Sequence, residues 1–344
     1  MATVSLPVYD FYWACRSGNV DKVRNYLKIM TIDDMNRVEK NGSTALHAAS
    51  CYGHIEIIKL ILENSNIVRS IKNKYGLTPY DEAKTNEIKR LFHRQDGSNR
   101  FIGGTEGATI EWMKCDDETE NVAFRKRQCL NTQGDDSRID DRVRQIWSKY
   151  LEANDFDKKE LIRYFYNKAL QDEDATYLIK AYTAETNYYK IINKYLTIEH
   201  EKNDDGNKFA QWHILAIMTF HPSLGQFSFV GETYRGMRIT EEDLNEYSVG
   251  TRLMNKAFLS TSKDRQVAEA FADSCGVNDG RVTVICIYEI CLTQAALDIE
   301  TISEYQNERE VLIFPFRFFH VIDIRHNINV IEIKLKECIY NYYP

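Results

Sequence analysis

The stretch Asn41-Gly42-Ser43-Thr44-Ala45-Leu46-His47-Ala48-Ala49-Ser50, followed by Tyr52-Gly53-His54-Ile55-Glu56-Ile57-Ile58-Lys59-Leu60-Ile61-Leu62, constrains the fold of this chain more than any other. A turn glycine leads into a short apolar helix, a second glycine ends that helix, and a second helix follows. On the second helix Glu56, Lys59 and Glu63 share one face while Ile57, Ile58, Ile61 and Leu62 fill the other, as in a helix with one side buried. Weaker copies flank the unit: Phe11-Tyr12-Trp13-Ala14-Cys15-Arg16-Ser17-Gly18-Asn19-Val20 before it, and Tyr75-Gly76-Leu77-Thr78-Pro79-Tyr80-Asp81-Glu82-Ala83 after it. Such a unit cannot bury its own face, and about three neighbours are needed for stability. The expectation is a minimal all-α stack over residues 8–93, with atypical ends and a third unit cut short.

The central unit closely resembles one ankyrin repeat. That resemblance implies a domain that binds a protein partner, whose identity the sequence does not give. His47 and His54 stand at signature positions of the repeat, where the expected role is structural hydrogen bonding rather than metal binding.

Residues 94–137 mix Gly103-Gly104 with the acidic patch Asp116-Asp117-Glu118-Thr119-Glu120. They are expected to form a mobile linker, with at most a short strand near Ile110-Glu111-Trp112. Gly103, Gly104 and Gly107 do not make a dinucleotide fingerprint, since neither strand nor helix frames them. From Asp140 to Phe220 the pattern is helical, with segments such as Val143-Arg144-Gln145-Ile146-Trp147 and Phe209-Ala210-Gln211-Trp212-His213-Ile214-Leu215. After Glu232 strands dominate: Val282 to Tyr288, Val311 to Phe314, and a late pair, Phe318 to Ile324 and Ile328 to Leu335. The late pair, joined across Arg325-His326-Asn327, reads as a hairpin. Residues 138–340 are therefore expected to be an α+β domain, a mixed β-sheet core preceded by a helical lobe.

Three islands in this second part carry chemistry. Asn307-Glu308-Arg309-Glu310-Val311-Leu312-Ile313 places two carboxylates two residues apart at the mouth of an apolar strand. If the strand continues back through them, both side chains face one site. Upstream lie Thr233-Tyr234-Arg235-Gly236 and Ala257-Phe258-Leu259-Ser260-Thr261-Ser262. Singly, each has a plain structural reading: a solvated Arg-Gly turn, a Ser-Thr-Ser cap for the helix starting near Lys263-Asp264, and an exposed charge run. Together, over roughly residues 175–335, they resemble the R-S-E signature of arginine-specific mono-ADP-ribosyltransferases.

The resemblance implies an ADP-ribosyltransferase-like fold that uses NAD as co-substrate, without a metal, and arginine-bearing proteins as acceptors. Breaking the nicotinamide–ribose bond builds positive charge on the ribose, as in glycoside cleavage. By resemblance Glu310 faces that charge and holds the ribose 2′-hydroxyl. Arg235 grips the phosphates, which a planar fork of donors suits, and Gly236 lets the backbone approach the nicotinamide carboxamide. Ser260 steadies the ribose side and the catalytic glutamate. Glu308 aims the acceptor guanidinium, glutamate here going with arginine as acceptor. Tyr305 matches an aromatic of the substrate-facing loop, or is an exposed tyrosine without a role. Phe271 matches an aromatic that stacks on nicotinamide, or packs with Val267, Ala268 and Ala272 on an apolar helix face. Arg309 departs from the acidic or neutral residue expected between the glutamates. Arg235, Ser260 and Glu310 are expected to line one cleft, with Glu308 nearer its rim.

At 344 residues the chain fits two domains. Its net charge of −7 is unevenly shared. Residues 1–93 carry 13 basic and 10 acidic side chains, leaving 31 and 41 for the rest, so the two parts stand at +3 and −10. An acidic second part argues against nucleic acid as substrate and suits basic protein targets. No apolar run reaches the roughly 20 residues of a membrane span, and Met1 to Asp10 lacks a signal core. Eight cysteines without close pairing or zinc spacing read as thiols of a reducing compartment, hence an intracellular, cytoplasmic protein. Two rival functions stay open: an NAD glycohydrolase with water as acceptor, and a non-catalytic ankyrin protein carrying an inactive transferase-like domain.

Overall fold

The computed structural model describes residues 6–64, 66–94, 112–135, 141–197, 207–273, 280–328 and 330–339. The N-terminal stack comprises α1 (Leu6–Ser17), α2 (Val20–Tyr26), α3 (Ile32–Met35), α4 (Ala45–Tyr52), α5 (Ile55–Glu63) and α6 (Asn86–Leu91). Its histidines act as expected. In α4 the Thr44 N–H donates to His47 Nδ1 at 3.2 Å and the His47 N–H to Thr44 Oγ1 at 3.4 Å, a reciprocal cap at the helix start. His47 Nε2 then donates to the Leu77 carbonyl at 3.0 Å, stitching this unit to the next. His54 Nε2 reaches back to the Arg16 carbonyl at 2.9 Å. Gly18, at φ +78°, is needed there, because a Cβ would lie 2.8 Å from the His54 ring. Ile57, Ile58 and Ile61 of α5 are buried in the stack's own core.

The second part runs β1 (Trp112–Lys114), α7 (Asp117–Asp135), α8 (Asp141–Ala153), α9 (Lys159–Asp172), α10 (Thr176–Thr183), α11 (Tyr188–Thr197) and α12 (Asn207–Phe220). It continues with β2 (Gly231–Ile239), α13 (Glu241–Asn245), β3 (Arg252–Asn255), β4 (Leu259–Ser262), α14 (Arg265–Asp273), β5 (Val282–Ile290), β6 (Ala296–Asp298), β7 (Glu310–Ile313), β8 (Phe318–His326) and β9 (Ile331–Glu337). Among the described residues the strands form one nine-stranded mixed sheet in the order β1-β3-β8-β9-β5-β2-β4-β7-β6. The β5–β9 pair is parallel, and β8–β9 is an antiparallel pair with an irregularity at Val321/Asp323. The helical lobe α8 to α12 packs an aromatic-rich core, including Trp147, Phe165, Tyr166, Tyr182 and Tyr188, where the Tyr166 and Tyr188 hydroxyls meet at 2.6 Å.

Two features differ from the sequence-based expectation. The acidic patch of the expected linker is a helix start: Asp116 Oδ1 accepts from the Thr119 N–H at 2.8 Å, and acidic residues suit the positive end of α7. Ala123 and Leu130 of α7 are buried in the core of the second part, Glu120 pairs with Arg252 at 3.3 Å, and Arg127 donates to the Phe316 carbonyl. Just ahead, Trp112 opens a strand paired with β3. Ile110, Glu111 and the glycines 103, 104 and 107 lie outside the described residues. The stack, moreover, is docked rather than merely tethered. Val68 is buried in the helical lobe's core, Glu304 accepts from the Arg69 N–H at 2.7 Å and from Ser70 Oγ, and Lys180 donates to Ser70 Oγ at 2.5 Å.

Candidate functional site

Arg235, Ser260 and Glu310 come from three neighbouring strands, β2, β4 and β7, and all three are buried, Glu310 at 0 % exposure. Ser262 is in register with Glu310 across β4–β7 and with Tyr234 across β2–β4. Ser260, two residues from Ser262, therefore shares its face of the sheet with Glu310. Arg235, next to Tyr234 in β2, lies on the opposite face together with Thr233, and it reaches β4 through the backbone, its Nη1 donating to the Ser260 carbonyl at 2.7 Å. Thr233 Oγ1 fastens the same two strands by donating to Thr261 Oγ1 at 2.8 Å.

The Ser-Thr-Ser run divides its work. Ser262 Oγ donates to the Glu308 carbonyl at 2.7 Å and accepts from the Asp264 N–H at 3.0 Å. It thus shapes the turn ahead of α14, where Asp264 Oδ1 accepts from the Gln266 N–H at 2.9 Å, and holds the Glu308 turn against β4, while the Ser260 carbonyl takes the Arg235 contact. Gly236 serves packing in a way the sequence reading did not include. A Cβ there would lie 2.2 Å from the Ala268 carbonyl oxygen and 2.9 Å from Ala272 Cβ, so glycine seats α14 directly on β2. Ala268 and Ala272 make that contact and are fully buried, whereas Phe271 on the same helix is half-buried.

Glu308 and Glu310 do not lie on one continuous strand. Gln306–Glu308 is a 3₁₀ turn, Arg309 takes the left-handed conformation at φ 48°, and β7 begins only at Glu310. The extended reading through both glutamates is corrected on this point, since a left-handed residue breaks strand alternation. Arg309 points outward, 3.6 Å from Asp264 and 3.9 Å from Glu300.

The placement of Glu308 at the rim of a cleft is also overturned, for it is 1 % exposed. Arg94 covers it: Nε donates to Oε1 at 2.8 Å and Nη2 to Oε2 at 3.3 Å, while Nη2 also reaches the Thr183 carbonyl at 3.0 Å. The Arg94 guanidinium carbon lies 3.8 Å from the centre of the Tyr305 ring, and that of Arg69 4.9 Å. Tyr305 is buried, not an exposed loop residue, and donates its hydroxyl to Glu185 Oε2 at 2.6 Å. Burial pushes the Tyr305 phenol up. Burial alone would weaken the Arg94 charge, but the Glu308 carboxylate, with Tyr305 and Glu310 behind it, holds that guanidinium above its usual range.

The arrangement offers a buried carboxylate beside a hydroxyl-bearing strand, a buried guanidinium, and a second carboxylate shaped for a planar fork. Among the described residues no group of three or more His, Cys, Asp or Glu side chains could hold a metal ion. Arg94, Thr183 and Glu185 were not among the expected site residues, as Arg94 meets Glu308 across 214 positions and the Thr183 carbonyl across 89, and Glu185 meets Tyr305 across 120. No local pattern marks such pairs.

Known proteins share parts of this chain. A family model described as NAD:arginine ADP-ribosyltransferase matches residues 112–341, and one described as ankyrin repeats (3 copies) matches residues 11–95. The chain is 32 % identical over 96 residues to the mitochondrial liver isoform of glutaminase from Mus musculus, covering 28 % of this chain and 16 % of that protein. It is 31 % identical over 101 residues to Vis of Vibrio splendidus (strain 12B01), which is named as an NAD(+)–arginine ADP-ribosyltransferase, covering 29 % of this chain and 40 % of that one. These matches span less than half of either relative's length. A solved structure of the type III effector XopAI from Xanthomonas axonopodis pv. citri aligns at a TM-score of 0.41 with 14 % identity, over 64 % of this chain and 100 % of that one.

Proposed function

The chain belongs to the NAD:arginine ADP-ribosyltransferase family, and from that premise we propose that it transfers ADP-ribose from NAD to arginine side chains of protein targets, releasing nicotinamide. The observation that carries the arginine part is the two-point contact of a guanidinium with Glu308, at 2.8 and 3.3 Å. A carboxylate that takes both prongs of the fork beside an aromatic face aims an acceptor as arginine transfer needs.

In this reading the C1′–N bond of NAD breaks, its electron pair stays on nicotinamide, and positive charge develops on the ribose. Glu310 is the carboxylate that faces that charge, and its full burial makes a fixed charge more effective. Arg235 holds phosphate oxygens and Ser260 orients the ribose side. A guanidinium nitrogen then bonds to C1′, and the proton it loses passes to Glu308 and on to water. The ankyrin stack is the surface for a protein partner. The seven described cysteines are unbridged, which suits a cytoplasmic setting. Among the described residues no helix is long and apolar enough to cross a membrane.

NAD glycohydrolase is the second reading, favoured by one observation: with Arg94 on Glu308, water is left as the acceptor. Incubation with labelled NAD and agmatine separates the two. Transfer gives ADP-ribosyl-agmatine with nicotinamide, and Glu310→Gln lowers both by about a hundredfold or more. Nicotinamide without any agmatine product, even after Arg94 is replaced, would favour hydrolysis.

A further inference from the structure

The guanidinium that meets Glu308 belongs to the chain itself. Arg94 stands three residues beyond the end of α6, at the exit of the ankyrin stack. Its side chain is 3 % exposed and that of Glu308 2 %. Both carboxylate oxygens are engaged, and the Tyr305 ring covers the guanidinium face at 3.8 Å. A second guanidinium cannot share this seat.

The turn that carries Glu308 is also where the stack is fastened. Glu304 takes the Arg69 N–H and the Ser70 hydroxyl, and Thr78 Oγ1 donates to Gln306 Oε1 at 3.1 Å. Arg69, from the same part of the stack, lies over Tyr305 at 4.9 Å. Residues 304 to 308 therefore meet the stack at four points, Glu304, Tyr305, Gln306 and Glu308, the last of them through Arg94.

We propose that Arg94 occupies the acceptor subsite of its own enzyme, so that the seated ankyrin stack excludes the arginines of other proteins until a partner draws the stack away. This rests on reading Glu308 as the residue that aims the acceptor. The occupant is tethered, so it competes at the high effective concentration of an intramolecular group. The apparent affinity for an outside acceptor falls by the fraction of molecules in which Arg94 has left. Arg94 acts as a blocker and not as an acceptor: beyond the fork to Glu308, its Nη2 is also tied to the Thr183 carbonyl at 3.0 Å and the Tyr305 ring covers its guanidinium face at 3.8 Å.

The test uses the full chain as wild type, Arg94→Ala, Arg94→Lys and the double variant Arg94→Ala/Glu308→Gln, with labelled NAD and agmatine. Lysine keeps a positive charge opposite Glu308 but lacks the fork, so it carries the test should the alanine variant fail to fold. In both single variants the agmatine KM is expected to fall about tenfold or more, raising labelled agmatine relative to nicotinamide, and the double variant is expected to lose the gain. Mass spectrometry of the wild type after incubation with NAD is expected to find Arg94 unmodified. An unchanged KM in both single variants would overturn the proposal, as would ADP-ribose on Arg94. Calorimetric titration with agmatine in the absence of NAD separates this inference from the transfer reading. Agmatine binding gained in the single variants supports occupancy even if no form cleaves NAD, and equal binding by wild type and variants overturns it.

Discussion

Arg94 Nε lies 2.8 Å from Glu308 Oε1, joining two residues 214 positions apart in a pair almost wholly removed from water. The contact links the exit of the ankyrin stack to the turn ahead of β7, and so couples the two halves of the chain at the carboxylate proposed to receive the acceptor. A buried pair of this kind is costly to break from one side, because the remaining charge is left unpaired.

That asymmetry gives the first prediction. Glu308→Ala is expected to destabilise the protein by about 3 kcal/mol, since it strands a buried guanidinium. Adding Arg94→Ala is expected to restore part of the loss, with a coupling of about 1–3 kcal/mol. Urea denaturation of the two single variants and the double variant measures it, and strict additivity would show that the pair does not interact.

Gly236→Ala is expected to lower stability by about 1–3 kcal/mol through overpacking. The added Cβ meets the Ala268 carbonyl oxygen at 2.2 Å, so α14 must move, and Phe271 moves with it. An unchanged denaturation midpoint would contradict this packing role.

Acid is expected to loosen the ankyrin stack. Burial lowers the His47 pKa below the ordinary imidazole value of about 6.5, so the unfolded state binds a proton more readily and stability rises with pH in that range. The contribution is complete above about 6.5 and is lost as pH falls toward the folded-state value. The geometry agrees: protonation would turn Nδ1, which accepts from the Thr44 N–H, into a donor facing a donor. Thermal unfolding of residues 8–94 followed against pH checks it, and a melting temperature that does not decline below pH 6.5 would argue against a neutral, buried His47.

A chain beginning at Arg138 is expected to fold poorly, whereas one beginning near residue 112 keeps the sheet edge and α7. The reason is local: β1 pairs with β3, and Ala123 and Leu130 fill the core of the second part. Circular dichroism and size-exclusion chromatography of the two fragments distinguish them, and a stable, compact Arg138 fragment would count against a structural role for residues 112–135.

How much of this was legible in the sequence depends on distance along the chain. Glycines at 42 and 53 and the apolar face of Ile57, Ile58 and Ile61 announce a helix pair, because the signals lie within one turn of what they control. The strands around Val284 and Leu312 and the β8–β9 pair are legible for the same reason. Helix α7 is not, since its exposed face is strongly polar and its buried apolar positions among the described residues, Ala123 and Leu130, are seven residues apart. The break between Glu308 and Glu310 is equally silent, for a left-handed arginine at 309 carries no glycine to mark it. The Arg94–Glu308 pair is invisible to any local pattern, being a product of how the stack docks.

The most direct measurement of the proposed function compares the products of Glu308→Gln and Glu310→Gln on labelled NAD with agmatine. If Glu310 faces the cationic ribose, its variant is expected to lose nicotinamide release with or without agmatine, by about a hundredfold or more. If Glu308 only holds the incoming guanidinium, its variant is expected to keep cleavage by water while labelled agmatine falls away. The ratio of agmatine product to nicotinamide should therefore drop in Glu308→Gln alone. Equal loss of both products from Glu308→Gln would contradict the assignment of this residue to the arginine acceptor.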